Sequence, residues 1–436
     1  MWCNQIKRPL FNADRTSDGS LDCDNLILQK QRKVADSPEF GGLVWSAWYI
    51  CGWVVEDKIG GLGIEVTHDF DMKRVGNLYA DMCSDKNIMI AIHQAAQHKK
   101  QRRTVNKVLG DVASHTDKLR NALVSKTYKP SEPKIMISYD NNDRKERRIQ
   151  VVPFFPDGVM HRLVVNTIKP FIEKGMYKYS CGSIPGRGGH YAKEYLSNAV
   201  QTDKKNTRYV FYFDIKKFFD SVTREMTMNS LRTKIKDKDL LDLIEKILPE
   251  KGLPIGFYLS QWLSNFVLTQ MDNVVLRHHT VRRDKRNQTA KYYARYIDDC
   301  VVLGNNKKAL HDLQKTVSAW LESHGLAMKN TWQVYPLESR PIDYVGFLIY
   351  RNTVKMRKRN LYKLTRSAKQ YETKPESFVS RYSYVSHTSS FLLQKNLGKK
   401  FNKAKKIISK NAKAANAKAL NSRWNSLMVF RAISAY

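Results

Sequence analysis

The sequence predicts an α+β fold, with helices packed on a small antiparallel sheet and a basic helical tail behind it. Three observations carry this. Tyr209 to Ile215 is an apolar run that reads as a buried strand. Tyr292 to Tyr296 and Cys300 to Leu303 flank the turn Ile297-Asp298-Asp299, which is a hairpin pattern. Leu259, Trp262, Leu263, Phe266 and Val267, and later Leu310, Leu313, Val317, Trp320 and Leu321, recur at helical spacing.

The other elements follow in chain order. Residues 1–86 read as a separate layer, an N-terminal extension of no assigned role with Gly41-Gly42, Gly60-Gly61 and Trp2, Trp45, Trp48 and Trp53. From Asn87 the pattern turns helical; Leu109, Val112, Leu119, Leu123 and Val124 continue it until Tyr128-Lys129-Pro130 stops it. Ile135 to Ser138 and Arg148 to Val152 predict a second hairpin around Asp140-Asn141-Asn142-Asp143. Helices are expected near 158–174 and 190–200, and strands at 332–335 and 343–350 should complete the sheet. Basic helices and loops should follow residue 351.

Charge narrows the partner. The chain has 436 residues, 42% of them apolar, room for two to four units of about 100–200 residues each. It carries 75 Lys and Arg against 41 Asp and Glu, a net +34, which calls for a polyanion: nucleic acid or an anionic membrane surface. Mean hydropathy is −0.52. No run reaches the roughly 18 apolar residues of a membrane span; the best, Leu43 to Val55, is interrupted. The start, Met1-Trp2-Cys3-Asn4-Gln5, lacks the apolar core of a signal peptide, so a cytoplasmic protein with no membrane partner is expected. Cysteines at 3, 23, 51, 83, 181 and 300 include no zinc-type pair; they read as free thiols, with one remote disulfide as the alternative. Residues 1–90 hold 10 bases and 13 acids, and residues 351–436 hold 21 bases and 2 acids. The polyanion therefore belongs to the middle and the tail.

Two acidic points carry the chemistry. Asp214 closes the apolar run Phe211-Tyr212-Phe213, and Asp298-Asp299 forms a hairpin tip. Asp298-Asp299 alone is either a polar turn or a metal pair. If the two elements are sheet neighbours, three carboxylates converge, and such hard oxygen ligands suit two Mg²⁺ ions, or Mn²⁺ in their place.

The motifs stand in a telling order. Phe211-Tyr212-Phe213-Asp214-Ile215-Lys216-Lys217-Phe218-Phe219-Asp220, then Gly252-Leu253-Pro254-Ile255-Gly256 through Ser260-Gln261, then Tyr296-Ile297-Asp298-Asp299, resemble the palm of a reverse transcriptase. Arg148-Ile149 resembles that family's fingers strand, Ser180-Cys181-Gly182-Ser183-Ile184-Pro185-Gly186-Arg187-Gly188 its next block, and Tyr344-Val345-Gly346-Phe347 its primer-gripping hairpin. Lys329 stands where a basic residue follows the palm helix. The resemblance covers about residues 87–350. It implies a right-hand polymerase: fingers and the start of the palm at 87–208, palm at 209–350, and a basic thumb and tail at 351–436.

The same resemblance implies roles. Asp214, Asp298 and Asp299 would bind the metals, with the Ile215 carbonyl as a further ligand. Arg148 is either a triphosphate contact or one more solvated base. Phe219 would sit under the sugar and collide with a 2′-hydroxyl, which favours dNTPs; it also argues against an RNA-dependent RNA polymerase. Ile255, Gly256, Gln261 and Lys329 would line the nucleotide site. The isoleucine-glycine and serine-glutamine pairs depart from the commoner proline-glutamine-glycine and serine-proline. They resemble enzymes of diversity-generating retroelements and some phage-defence reverse transcriptases of bacteria. Ile255 replaces an amide with a hydrocarbon, which suggests error-prone copying.

The expected partners are a noncoding RNA template, the cDNA and RNA–DNA duplex, dNTPs, and an accessory protein or a second copy of the chain. Antiphage defence in a bacterial or phage-infected cell is the first expectation and a diversity-generating retroelement the second. A non-catalytic RNA-binding protein on a palm scaffold is the reading of another class.

Overall fold

The computed structural model describes residues 74–139 and 146–433, with side chains to 414. The glycine pairs and tryptophans of the N-terminal segment, and the turn Asp140 to Asp143, lie outside the described residues. Four helices come first among the described residues: α1 (Leu78–Met82), α2 (Asp85–Ala95), α3 (Arg103–Gly110) and α4 (Val112–Val124). The expected run from Leu109 to Val124 is broken because Asp111 leaves helical geometry and its carboxylate caps α4 by accepting from Ser114 N at 3.1 Å. Leu119 and Leu123 are buried, while Val124 is 65% exposed.

Next come β1 (Lys134–Tyr139) and β2 (Glu146–Val151), the antiparallel hairpin read from the sequence, then α5 (Val159–Ile172), β3 (Ser180–Cys181), α6 (Gly189–Thr202) and β4 (Tyr209–Asp214). Three helices missed by periodicity follow: α7 (Phe218–Ser221), α8 (Arg224–Arg232) and α9 (Lys238–Ile247). Thr223 and Asp237 cap the last two. Asp237 also accepts from the backbone of Leu78 at 2.6 Å and Tyr79 at 2.9 Å, which ties α1 to α9. Leu78 and Met82, expected in the N-terminal layer, are instead buried in the main core.

The chain continues through α10 (Tyr258–Val267), α11 (Thr269–Arg277), β5 (His279–Arg282), β6 (Lys285–Gln288), β7 (Tyr292–Tyr296), β8 (Asp299–Gly304), α12 (Lys307–Ser323) and β9 (Gln333–Pro336). The central sheet has the order β3-β7-β8-β4-β9, and all its pairings except β3–β7 are antiparallel. Alternation along β4 sends Val210 to one face and Phe211 and Phe213 to the other. Both faces are buried, one under α5 and α10, the other under α6.

Residues 343–350 do not join this sheet. Val345 and Gly346 both take positive φ, 41° and 92°, and fold the run into a tight two-residue hairpin. The result is a separate sheet of β10 (Ile342–Tyr344), β11 (Phe347–Ile349) and β12 (Val354–Met356). The tail forms α13 (Lys358–Lys369), α14 (Pro375–Ser386) and α15 (Phe391–Ile433). It has a core of its own, with Leu364, Phe378, Tyr382 and Val385 buried. It meets the small sheet through Tyr384, stacked on Phe347 at 5.4 Å, and through Ser389, whose N donates to Val354 O at 2.8 Å; His387 stacks on His190 of α6 at 3.9 Å. Among the described residues, Cys83, Cys181 and Cys300 are free, and no helix is long and apolar enough to cross a membrane.

Candidate active site

Strand register gathers the acids. β4 and β8 pair with Asp214 opposite Asp299, and β7 and β8 pair with Tyr296 opposite Asp299, which leaves Asp298 at the tip. Ile297 turns the chain at φ 59°, a left-handed conformation that costs a β-branched residue. Hydrogen bonds pin that turn: Ile297 N donates to Cys181 O at 3.0 Å, Arg295 Nη1 donates to Ile297 O at 2.8 Å, and Ile215 N donates to Asp298 O at 3.3 Å. Gly182 is required beside it, since a Cβ there would lie 2.8 Å from Ile297 Cγ1.

The carboxylates are partly reachable from solvent yet sit deep among protein atoms. Burial, with Asp214 close by, pushes Asp298 up to about 6. Burial pushes Asp299 up to about 7 against the opposing Tyr212 hydroxyl, which donates to it. Lys329 Nζ donates to Asp214 Oδ2, and Lys329 N donates to Asp214 O at 2.8 Å. Asp214 Oδ1 and Asp299 Oδ1 are buried without a hydrogen-bond partner. Two such oxygens are costly unless a cation meets them. Among the described residues no three His, Cys, Asp or Glu side chains form a ready-made metal cage. Lys329 and Tyr212 each hold one of the three carboxylates. Mg²⁺ does not need such a cage, because one or two carboxylates suffice when phosphate and water complete the octahedron. The residues thus fit a hard divalent cation.

The remaining expected residues divide. Phe219, in α7, is half-buried, meets Phe218 edge-on at 5.6 Å, and its carbonyl accepts from Leu253 N at 2.6 Å. Ile255 O accepts from Gln150 N of β2 at 2.7 Å. Gly256, at φ 114°, lies so close to β2 that a Cβ would come within 2.4 Å of Gln150 O. These two residues dock the hairpin through their backbone. Gln261 is exposed in the first half of α10. Arg148 is on the face of β2 that Gln150 shares, exposed and paired with Glu146 at 3.2 Å. The structure therefore joins Asp214, Ile215, Asp298, Asp299 and Lys329 directly, and brings Arg148 no nearer than the same hairpin.

Sequence reasoning missed what holds the turn. Arg295 is wholly buried and bonds Asp272 twice at 2.7 Å, Asn265 Oδ1 at 3.2 Å and Ser180 Oγ at 2.5 Å, besides Ile297 O. Asn265 Nδ2 in turn donates to Gly182 O at 2.8 Å. A signal existed: an arginine inside the apolar strand Tyr292-Tyr293-Ala294-Arg295-Tyr296 must have a buried partner.

Comparison with known proteins gives a family match for the middle of the chain. Residues 139–349 match the family described as reverse transcriptase (RNA-dependent DNA polymerase). The chain is 24% identical over 229 residues to Protein YkfC of Escherichia coli (strain K12), covering 44% of this chain and 59% of that one. It is 34% identical over 123 residues to the Retron Ec73 reverse transcriptase of Escherichia coli, covering 26% and 38%. The matches thus span well under two thirds of these relatives. Among solved structures, the apo telomerase of Candida Tropicalis superposes with a TM-score of 0.39 and 12% identity, covering 54% of this chain and 58% of that one.

Proposed function

We propose that this chain, whose residues 139–349 form a reverse transcriptase domain, is an RNA-templated DNA polymerase that copies a companion noncoding RNA into cDNA. The observation that carries the reading is the pair of orphaned buried oxygens, Asp214 Oδ1 and Asp299 Oδ1, on directly opposed strand residues. Asp214, Asp298, Asp299 and the Ile215 carbonyl would hold two Mg²⁺ ions, which activate the primer 3′-hydroxyl and offset charge on the leaving pyrophosphate. Lys329 brings a positive charge to the edge of that site, where triphosphate oxygens arrive. Arg148, on the hairpin docked at Ile255, would meet the triphosphate. Extension of a DNA primer on an RNA template with dNTPs is the test. RNA binding without extension would leave only the non-catalytic reading.

Two expected results follow from the site. Phe219→Ala removes the ring that excludes ribose, so rNTP incorporation relative to dNTP should rise by about 10- to 100-fold; an unchanged ratio in single-nucleotide extension removes the gate. The second concerns pH. The acids hold protons more tightly than an ordinary carboxylate, up to about 6 and 7, and a cation must displace them. Affinity should therefore rise with pH across that window. Mn²⁺ binding to the nucleic-acid-free protein, followed by electron paramagnetic resonance, should be about tenfold or more tighter at pH 7.5 than at 5.5. Equal binding at both values would separate the cation from these acids.

Antiphage defence is the role we favour, since the acidic segment before Met72 is more than a bare polymerase needs. The pairs Ile255-Gly256 and Ser260-Gln261 fit either role; the alternative, a diversity-generating retroelement, would bring an accessory protein and error-prone copying. Under that reading Ile255→Gln should lower misincorporation several-fold; equal error rates would count against it. Sequencing the RNA and cDNA that co-purify separates the two roles.

A further inference from the structure

Helix α6 buries Ala192, Leu196, Ala199 and Val200 against the sheet and turns another face outward. Tyr191, Tyr195, Asn198 and Gln201 follow at helical spacing on that outer side. Tyr179, just ahead of β3, stacks on both rings, with centroids 5.5 Å from Tyr191 and 3.4 Å from Tyr195. Together with Glu194 they line a cleft of about 470 Å³.

The helix ends at Thr202, and the chain runs into β4 through three exposed cations, Lys204, Lys205 and Arg208. These line a second cleft of about 400 Å³ with Arg351. Arg351 is fixed: it donates to Val200 O in the last turn of α6 at 3.2 Å and to Thr207 O at 2.9 Å. The second cleft therefore adjoins the end of α6, whose outer side lines the first. Tyr209, beside the cations, pairs with Gly304 at the far end of the strands that bear Asp214 and Asp299. Five residues of strand put it about 17 Å from the carboxylates.

Rings, amides and cations in series match one chemistry. Bases stack on aromatic faces, and phosphates need cations. Glu194, Asn198 and Gln201 suit the ribose 2′-hydroxyl, which DNA lacks. An acidic peptide would use the cations and leave the rings idle. We propose that this strip is a docking track for single-stranded RNA, outside the catalytic centre. It rests on the polymerase reading only in taking that RNA to be part of the template molecule.

The test uses the full chain and a labelled, unstructured 20-nucleotide RNA, with DNA of the same sequence beside it. Lys204→Glu with Lys205→Glu and Arg208→Glu should weaken RNA binding at least tenfold. It should also flatten the salt dependence of log affinity by about 2, for three phosphates at about 0.7 each. Tyr191→Ala with Asn198→Ala should weaken RNA about tenfold, DNA less, and leave the salt slope unchanged. Extension of a short self-primed hairpin that reaches only the catalytic cleft should stay at the unsubstituted rate in both variants. Failure of the track is thus distinct from failure of the polymerase reading. An unchanged salt slope in the charge variant, or equal losses on RNA and DNA in the other, overturns the proposal.

Discussion

Asp298→Ala combined with Asp299→Ala should lower dNTP incorporation by about a thousandfold or more, with RNA affinity within about twofold of the unsubstituted protein. The magnitude follows from the chemistry. A metal site supplies several kcal/mol of charge stabilisation at a phosphoryl centre, and each 1.36 kcal/mol is about tenfold in rate. RNA affinity should persist because it comes from bases elsewhere, with 21 Lys and Arg after residue 350 alone. The fold should persist too, since both acids are pushed above the ordinary carboxylate range, so their ionised forms burden the cation-free protein at neutral pH. Retained primer extension in a folded double variant would remove the acids from the reaction.

Arg295→Met should cost about 3–5 kcal/mol of stability, because it strands the Asp272 carboxylate without its partner in a fully buried site. Adding Asp272→Leu should recover much of that loss, since the stranded charge goes with it. Activity should respond differently. Both variants lose the donor to Ile297 O, one of the three bonds that pin the turn carrying Asp298, so the turn is loosened and the double variant should be stable yet slow. Denaturant midpoints and kcat measured on the same preparations check this. A double variant as fast as the unsubstituted protein would make Arg295 a stabilising residue and nothing more.

The centre of the fold was legible because its signals are local. Tyr209 to Asp214 and the Tyr296–Asp299 turn declare themselves by apolar runs that end in acids. The register that sets Asp214 against Asp299 is then fixed by which face each strand must bury. Less legible were α8 and α9, whose caps at Thr223 and Asp237 carry more signal than their composition. Residues 343–350 misled as an apolar run, which reads as one strand, although the resemblance of Tyr344-Val345-Gly346-Phe347 to a hairpin already marked the turn that Val345 and Gly346 make. For Ile255 and Gly256, a motif that points to a nucleotide also serves as a backbone dock for Gln150. Arg295 was overlooked because its partners lie up to 115 residues away in sequence.

The stacked rings that hold the tail against the small sheet and α6 have a mechanical meaning. Ring faces such as Phe347 on Tyr384 and His190 on His387 resist being pulled apart, since separation exposes apolar surface to water. Sideways slip is checked as well, because Ser389 N donates to Val354 O at 2.8 Å and Val354 N donates to Ser389 Oγ at 3.0 Å. The helices behind them share their own core, so they shift as one piece. The joint is a seat and not a bearing: a load on the tail passes straight into the small sheet.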